Sequence, residues 1–262
     1  MSIVQFLLLN VPTYILGAII VAAFLVFAVG GLFIIRAFIP FHRVKPHNDV
    51  AGFIFATIGV IYAVLLAFMV IVAWQAFDQA NSNLVKEANY LGDLARDAVA
   101  FPPAFQVKVN SAVLNYMNAS IEEWPLLARG EWSPKVQKLS GNLYRLYANF
   151  TPRTETEKIF LAESVQKRNQ AGELRRLRLY NARSGIHPIL WFVLIAGGLI
   201  TIAFTMFFGT ENFLPHLMMS SLLAILIALV LFTIMAMDFP FAGDVAIKPE
   251  PFETVKAYLF SK

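Results

Sequence analysis

VAGFIFATIGVIYAVLLAFMVIVAWQAF, residues 50–77, contains no Asp, Glu, Lys or Arg. A bilayer core is crossed by ~20 predominantly apolar residues of α-helix, so this stretch is long enough to span one and to tilt or continue beyond it. Three further runs share the property: residues 1–35, 184–210 and 212–237 are equally free of charge. The segment between the second and third runs along the chain is the reverse, because residues 78–183 hold 26 of the 38 charged side chains. Over 262 residues the hydrophobic share is 58% and the charged share 15%. Soluble domains run at roughly 45–50% and 25%, so an ordinary soluble protein is excluded.

The runs place four spans at Pro12–Ile35, Val50–Phe77, Pro188–Phe208 and Leu214–Met237. Pro12 suits a first helical turn, where its missing N–H has no partner to lose, and Pro240 stops the last span. Tyr14, Trp74 and Trp191 fall near span ends, where amphipathic rings favour the headgroup layer. The first run has no basic region before it and no small-residue cleavage site, so it reads as a retained span. The expected fold is an all-α polytopic membrane protein, with spans 1 and 2 in residues 1–77 and spans 3 and 4 in 184–237. A soluble helical insert occupies 78–183 and a C-terminal tail 238–262.

Within the insert the apolar period is helical. Leu84, Ala88, Leu91, Ala95 and Ala98 form one stripe, Val113, Met117, Ile121 and Trp124 a second, and Val136, Leu139, Leu143, Leu146 and Phe150 a third. Thr154 and Glu157 are spaced as a capping box that opens a fourth helix, while Ser133-Pro134 and Pro102-Pro103 mark other starts. Four spans put both termini and the insert on one side of the membrane. The insert side carries Lys86, Arg96, Arg168, Arg175, Arg176, Arg178, Arg183, Lys248 and Lys256 near span ends, against Arg36, Arg43 and Lys45 opposite. The larger basic count points to a cytoplasmic insert in a bacterial inner membrane, although the first hairpin taken alone argues the other way.

The chemistry the chain lacks narrows its function. With no cysteine there are no disulfides, thiolate nucleophiles or thiolate metal sites. Phosphate-binding glycine loops, the zinc-helix motif and the nucleophile elbow are absent, so nucleotide enzymes and common hydrolases are set aside, and no cofactor is implied. Arg175, Arg176, Arg178 and Arg183 read as a solvated basic helix face near lipid phosphate rather than a nucleic-acid surface. His187 and His216 lie at opposite ends of the membrane and cannot share a metal in one subunit. His42, His47, Asp49, Glu211 and His216 all fall on the loop side, but without helical ligand spacing they read as interfacial polar residues rather than a metal site. No span holds a midplane charge, which argues against coupled transporters and proton pumps but not against a passive pore.

Val60, Val64 and Phe68 recur every four residues of span 2. Such a stripe has two fates: it lines a narrow apolar neck in a symmetric oligomer, or it packs against span 1 or span 3. Gly52, Gly59 and Gly17 are small positions that permit close helix approach, as are Gly197 and Gly198 in span 3.

Several stretches resemble a known family. His47-Asn48-Asp49-Val50-Ala51-Gly52-Phe53 runs into Gly59-Val60-Ile61-Tyr62-Ala63-Val64-Leu65-Leu66-Ala67-Phe68. The similarity continues through Trp74, Phe77, Glu87, Ala88, Leu91, Leu94 and Arg96. It resumes at Pro188, Leu190 and Trp191, then at Met237-Asp238-Phe239-Pro240-Phe241, Gly243-Asp244 and Pro249-Glu250-Pro251-Phe252. Together these resemble the bestrophin-like membrane proteins of bacteria and plants, with His47, Asn48 and Asp49 as a loop-side polar motif. Gly59, Val60, Val64 and Phe68 are similar to the neck of true bestrophins, which are pentameric anion channels with four spans per subunit. The chain departs from them at Met69-Val70-Ile71-Val72-Ala73, which stays apolar where a bestrophin turns polar. The resemblance implies a homo-oligomer in the lipid bilayer, a pentamer by analogy, that passes small anions. The competing expectation is a non-conducting scaffold or accessory subunit whose insert binds a protein partner.

Overall fold

The computed structural model describes residues 3–39 and 44–260, and among these there is helix, turn and loop but no strand. The α-helices bounded within the described residues are, in order, α1 Ile3–Asn10, α2 Thr13–Phe38, α3 Asn48–Asp97, α4 Pro103–Glu122, α5 Trp124–Ala128, α6 Pro134–Ala148, α7 Glu155–Asn181, α8 Pro188–Thr205, α9 Phe213–Asp238 and α10 Glu250–Phe260. Four are long and apolar enough to cross a membrane: α2, the helix containing α3, α8 and α9. The chain is an all-α polytopic membrane protein.

Two compact units emerge. One comprises residues 6–75 and 185–238; the other comprises 1–5, 76–184 and 239–262. Helix α3 runs without a break from Asn48 to Asp97 and contributes to both. The two ends of the described chain belong to the same unit as the charged middle.

In the span unit, the buried face of α3 carries Tyr62, Leu66, Met69 and Ala73, a repeat of four, three and four residues that keeps one side of a helix inward. These side chains meet Ala28 and Leu32 of α2, Leu194 and Ile202 of α8, and Ala224, Ile227, Leu231 and Ile234 of α9. Glycine supplies the close approaches. A Cβ on Gly197 would stand 2.7 Å from the Tyr62 ring, and one on Gly198 would stand 2.8 Å from its hydroxyl. The phenol fits this notch and donates to the Leu194 carbonyl at 2.9 Å. Hydroxyls of Thr57, Thr201 and Thr233 return to carbonyls four residues back, which satisfies them where hydrocarbon cannot.

In the other unit, the anticipated stripes are the core: Leu84, Ala88, Leu91 and Ala95 from α3 with Ala98 just after it, Val113 and Met117 from α4, and Val136 and Leu143 from α6 are buried together. Thr154 caps α7, its Oγ1 accepting from Glu157 N at 3.1 Å. The Glu157 carboxylate reaches back to the N–H of Arg153, one residue before the cap. Helix α5 ends in a Schellman turn, with Glu131 N bonded to Leu126 O and Gly130 at φ 74°. Residues 238–262 hold more than a tail: α10 forms there and Phe252 is fully buried in this core. Gln5 of α1 donates to Ala128 O and Ala182 O, tying the chain start to the same unit.

Candidate functional site

The outer side of α3 differs sharply from its inner side. Val60 is 65% exposed, Val64 64% and Phe68 62%. Within one chain, therefore, the stripe is not spent on packing against α2 or α8, and the inner stripe beginning at Tyr62 does that work. Ile71 lies on the outer side too. A Cβ built on Gly52 or Gly59 would meet nothing within 4 Å, so their small size serves no close approach inside the chain. A surface of this kind is wholly apolar and offers an ion no ligand.

The loop-side motif divides. Asn48, at the start of α3, holds Gly209 with two 2.9 Å bonds, donating to its carbonyl and accepting from its N–H. His47 and Asp49 are exposed. Nearby, Arg36 donates to the carbonyl and hydroxyl of Thr210 at 2.7 Å and covers the Phe213 ring, while Lys45 pairs with Glu211. His216 is buried, with Nε2 2.8 Å from the Thr205 carbonyl, so its ring caps the C-terminal end of α8 instead of joining the other loop-side groups. A carbonyl only accepts, so Nε2 carries the proton. The loop-side residues His47, Asp49, Glu211 and His216 are thus not brought together into one site, in keeping with their reading as separate interfacial groups, and His42 lies outside the described residues. Among the described residues no three His, Asp or Glu side chains converge.

Sequence reasoning missed the most heavily charged part of the interior. Arg178 Nε is 2.9 Å from Glu87 Oε2, and Tyr116 donates to Glu87 Oε1 at 2.9 Å. Arg175 grips Glu123 with two bonds of 2.8 and 3.1 Å, and Arg178 Nη1 stands 3.5 Å from the same carboxylate. All four charged side chains are buried. This corrects the solvated-face reading of the arginine cluster, which holds only for the exposed Arg176 and Arg183. The physical reason is that residues 175 and 178 are one turn apart on the buried side of α7 and meet Glu87 of α3 and Glu123 at the junction of α4 and α5. Trp124 and Phe252 rings flank Arg178, each 5.5 Å from its guanidinium carbon.

Burial alone pushes the Glu123 carboxyl upward, but the bonds from Arg175 and the Ser133 N–H outweigh it and hold the group below the ordinary glutamate range. Desolvation opposes the charge on Arg175 and Arg178, and their carboxylate partners more than restore it. The Tyr116 phenol is pushed up, by burial first and then by the Glu87 charge. The only sequence signal for this cluster was the family resemblance at Glu87. Composition treats a charge as a surface residue until a partner is known.

A family model described as a bestrophin-like domain matches residues 22–252. Among solved structures, a bacterial bestrophin homolog from Klebsiella pneumoniae with a leucine-to-threonine mutation superposes with a TM-score of 0.68 at 11% identity, covering 92% of this chain and 98% of that one. An isoleucine-to-threonine variant of the Klebsiella pneumoniae homolog gives 0.67 at 9% identity, covering 93% and 98%. A structure described as a membrane protein with a proline-to-alanine mutation gives 0.66 at 11%, covering 92% and 97%. At these identities the likeness speaks for the fold alone. No curated protein matches the chain.

Proposed function

We propose, from the premise that this chain belongs to the bestrophin-like family, that it assembles with copies of itself into an ion channel whose neck is lined by α3. The observation that carries the reading is the exposure of Val60, Val64 and Phe68, on the side of α3 opposite the packed Tyr62 stripe. Copies of such a helix around an axis, five by analogy with bestrophins, give rings of valine and phenylalanine, a seal that small ions cross only when it widens and wets. Small anions are the favoured cargo. Exposed basic side chains such as Arg176 and Arg183, repeated by symmetry, raise the local anion concentration. The insert faces the cytoplasm of a bacterial inner membrane, in keeping with its larger basic count.

Purified protein in planar bilayers is the test. Chloride-dependent currents are expected, and Val64→Ala and Phe68→Ala each raise conductance or open probability. Unaltered currents in both variants remove these residues from the pore.

The scaffold reading retains one observation: Val107, Trp132 and Tyr144 are exposed apolar side chains on helices and loops that carry no span. A protein that forms no current yet retains a specific binding partner through this surface would favour it.

A further inference from the structure

Below the neck, the outer side of α3 changes character. Val60, Val64, Phe68, Ile71, Gln75 and Asp78 follow one another at steps of four, four, three, four and three residues, and all six are exposed. Asp78 lies eighteen residues after Val60, about five full turns, so the helix returns it to the same side. It is the first charge on this line. None of the ion pairs among the described residues uses it. The next charge near that side, Lys86, is exposed and eight residues further on, roughly 12 Å along the axis and beyond the ~8 Å over which salt leaves a charge visible. Arg96, further still, is paired with Asp93 and stacks on Tyr258.

We infer that Asp78 is a charge-selectivity residue of the pathway, an inference that rests on the reading of α3 as pore lining. Each subunit contributes one carboxylate about 15 Å along the helix past Phe68, so an oligomer carries a ring of them just beyond an apolar constriction. A ring of this sign concentrates cations and repels anions at the mouth. It therefore opposes the attraction that the basic insert residues exert, and holds the preference for anions down. The carboxylate acts through its field on the permeating ion, without binding it tightly.

The experiment uses the full-length protein reconstituted in planar bilayers under a sodium chloride gradient, with reversal potential as the readout. Asp78→Asn is expected to move the reversal potential toward the chloride equilibrium value, lowering the sodium-to-chloride permeability ratio at least about threefold. Asp78→Lys moves it further, and Asp78→Glu leaves it at the wild-type value. Currents that persist with the same reversal potential in the Asn and Lys variants overturn the role of Asp78 while leaving the channel intact. A wild-type protein that passes no current overturns the pore reading itself, and the inference with it. Because Asp78 is exposed and unpaired, Asn at this position keeps the fold, and an unchanged elution profile verifies that.

Discussion

The two units of this protein solve the burial problem in opposite ways. The span unit buries almost no charge. Its interior is closed by fit, with Tyr62 seated on Gly197 and Gly198, and by hydroxyls that return to their own helix. The unit built from residues 76–184 and the chain ends buries two carboxylates and two guanidiniums in one connected cluster. A desolvated ion costs several kcal/mol unless its partner and hydrogen bonds are in place, so such a cluster ties α3, the junction of α4 and α5, and α7 to one arrangement. Packing tolerates small adjustments, whereas a paired charge loses nearly everything when its partner goes.

The largest effect should follow from Glu87→Ala. It leaves Arg178 buried with one remaining, more distant carboxylate and takes the acceptor from Tyr116, so a loss of about 3–5 kcal/mol is expected. Thermal unfolding in detergent and limited proteolysis within residues 76–184 would register it. A melting curve that does not move would mean that the pair is dispensable and the contrast between the units false.

A second test strikes the other unit. Gly197→Val places its Cβ within 2.7 Å of the Tyr62 ring, and overpacking of this kind costs about 1–3 kcal/mol. Tyr62→Ala in the same chain should restore part of the loss. Gly52→Ala, which meets no neighbour within 4 Å, should leave the subunit's own stability unchanged. If both glycine variants behave alike, close fit is not what holds the spans.

Acid should also separate the units. Glu123 is held below the ordinary glutamate range in the fold, so its contribution is full above that range, near pH 4.3 for an unfolded chain. It is lost as pH falls further, through the lowered folded value. The charged unit should therefore open first in an acid titration, and Glu123→Gln should remove that dependence. The smallest effect is expected at the exposed Lys135–Glu122 pair, where Lys135→Ala should leave the melting temperature unaltered.

How much of this was legible depended on what each residue's period reveals. The four spans could be read from residues 50–77 and their counterparts because a charge-free run is a one-dimensional signal. The core stripes through Leu84, Val113 and Val136 were visible for the same reason, as was the cap at Thr154. The Val60, Val64 and Phe68 stripe was legible as a pattern, but its direction was not: period alone cannot say which side of a helix meets its own subunit. The inward turn of His216 and the pairing of Glu87 with Arg178, ninety-one positions apart in sequence, depend on tertiary contact. No local spacing encodes that. Helix α10 escaped notice because its 11 residues carry only a short apolar repeat.

Whether the outer side of α3 faces the ion path can be read by cysteine accessibility, since the chain has no cysteine of its own to add background. Single cysteines at positions 60, 64 and 68, with controls at the packed positions 66 and 69, would be exposed to a charged thiol reagent while current is recorded from reconstituted protein. Rapid block is expected at 60, 64 and 68 and none at 66 and 69. Steady current at all three outer positions, in channels that still conduct, would contradict a path lined by α3.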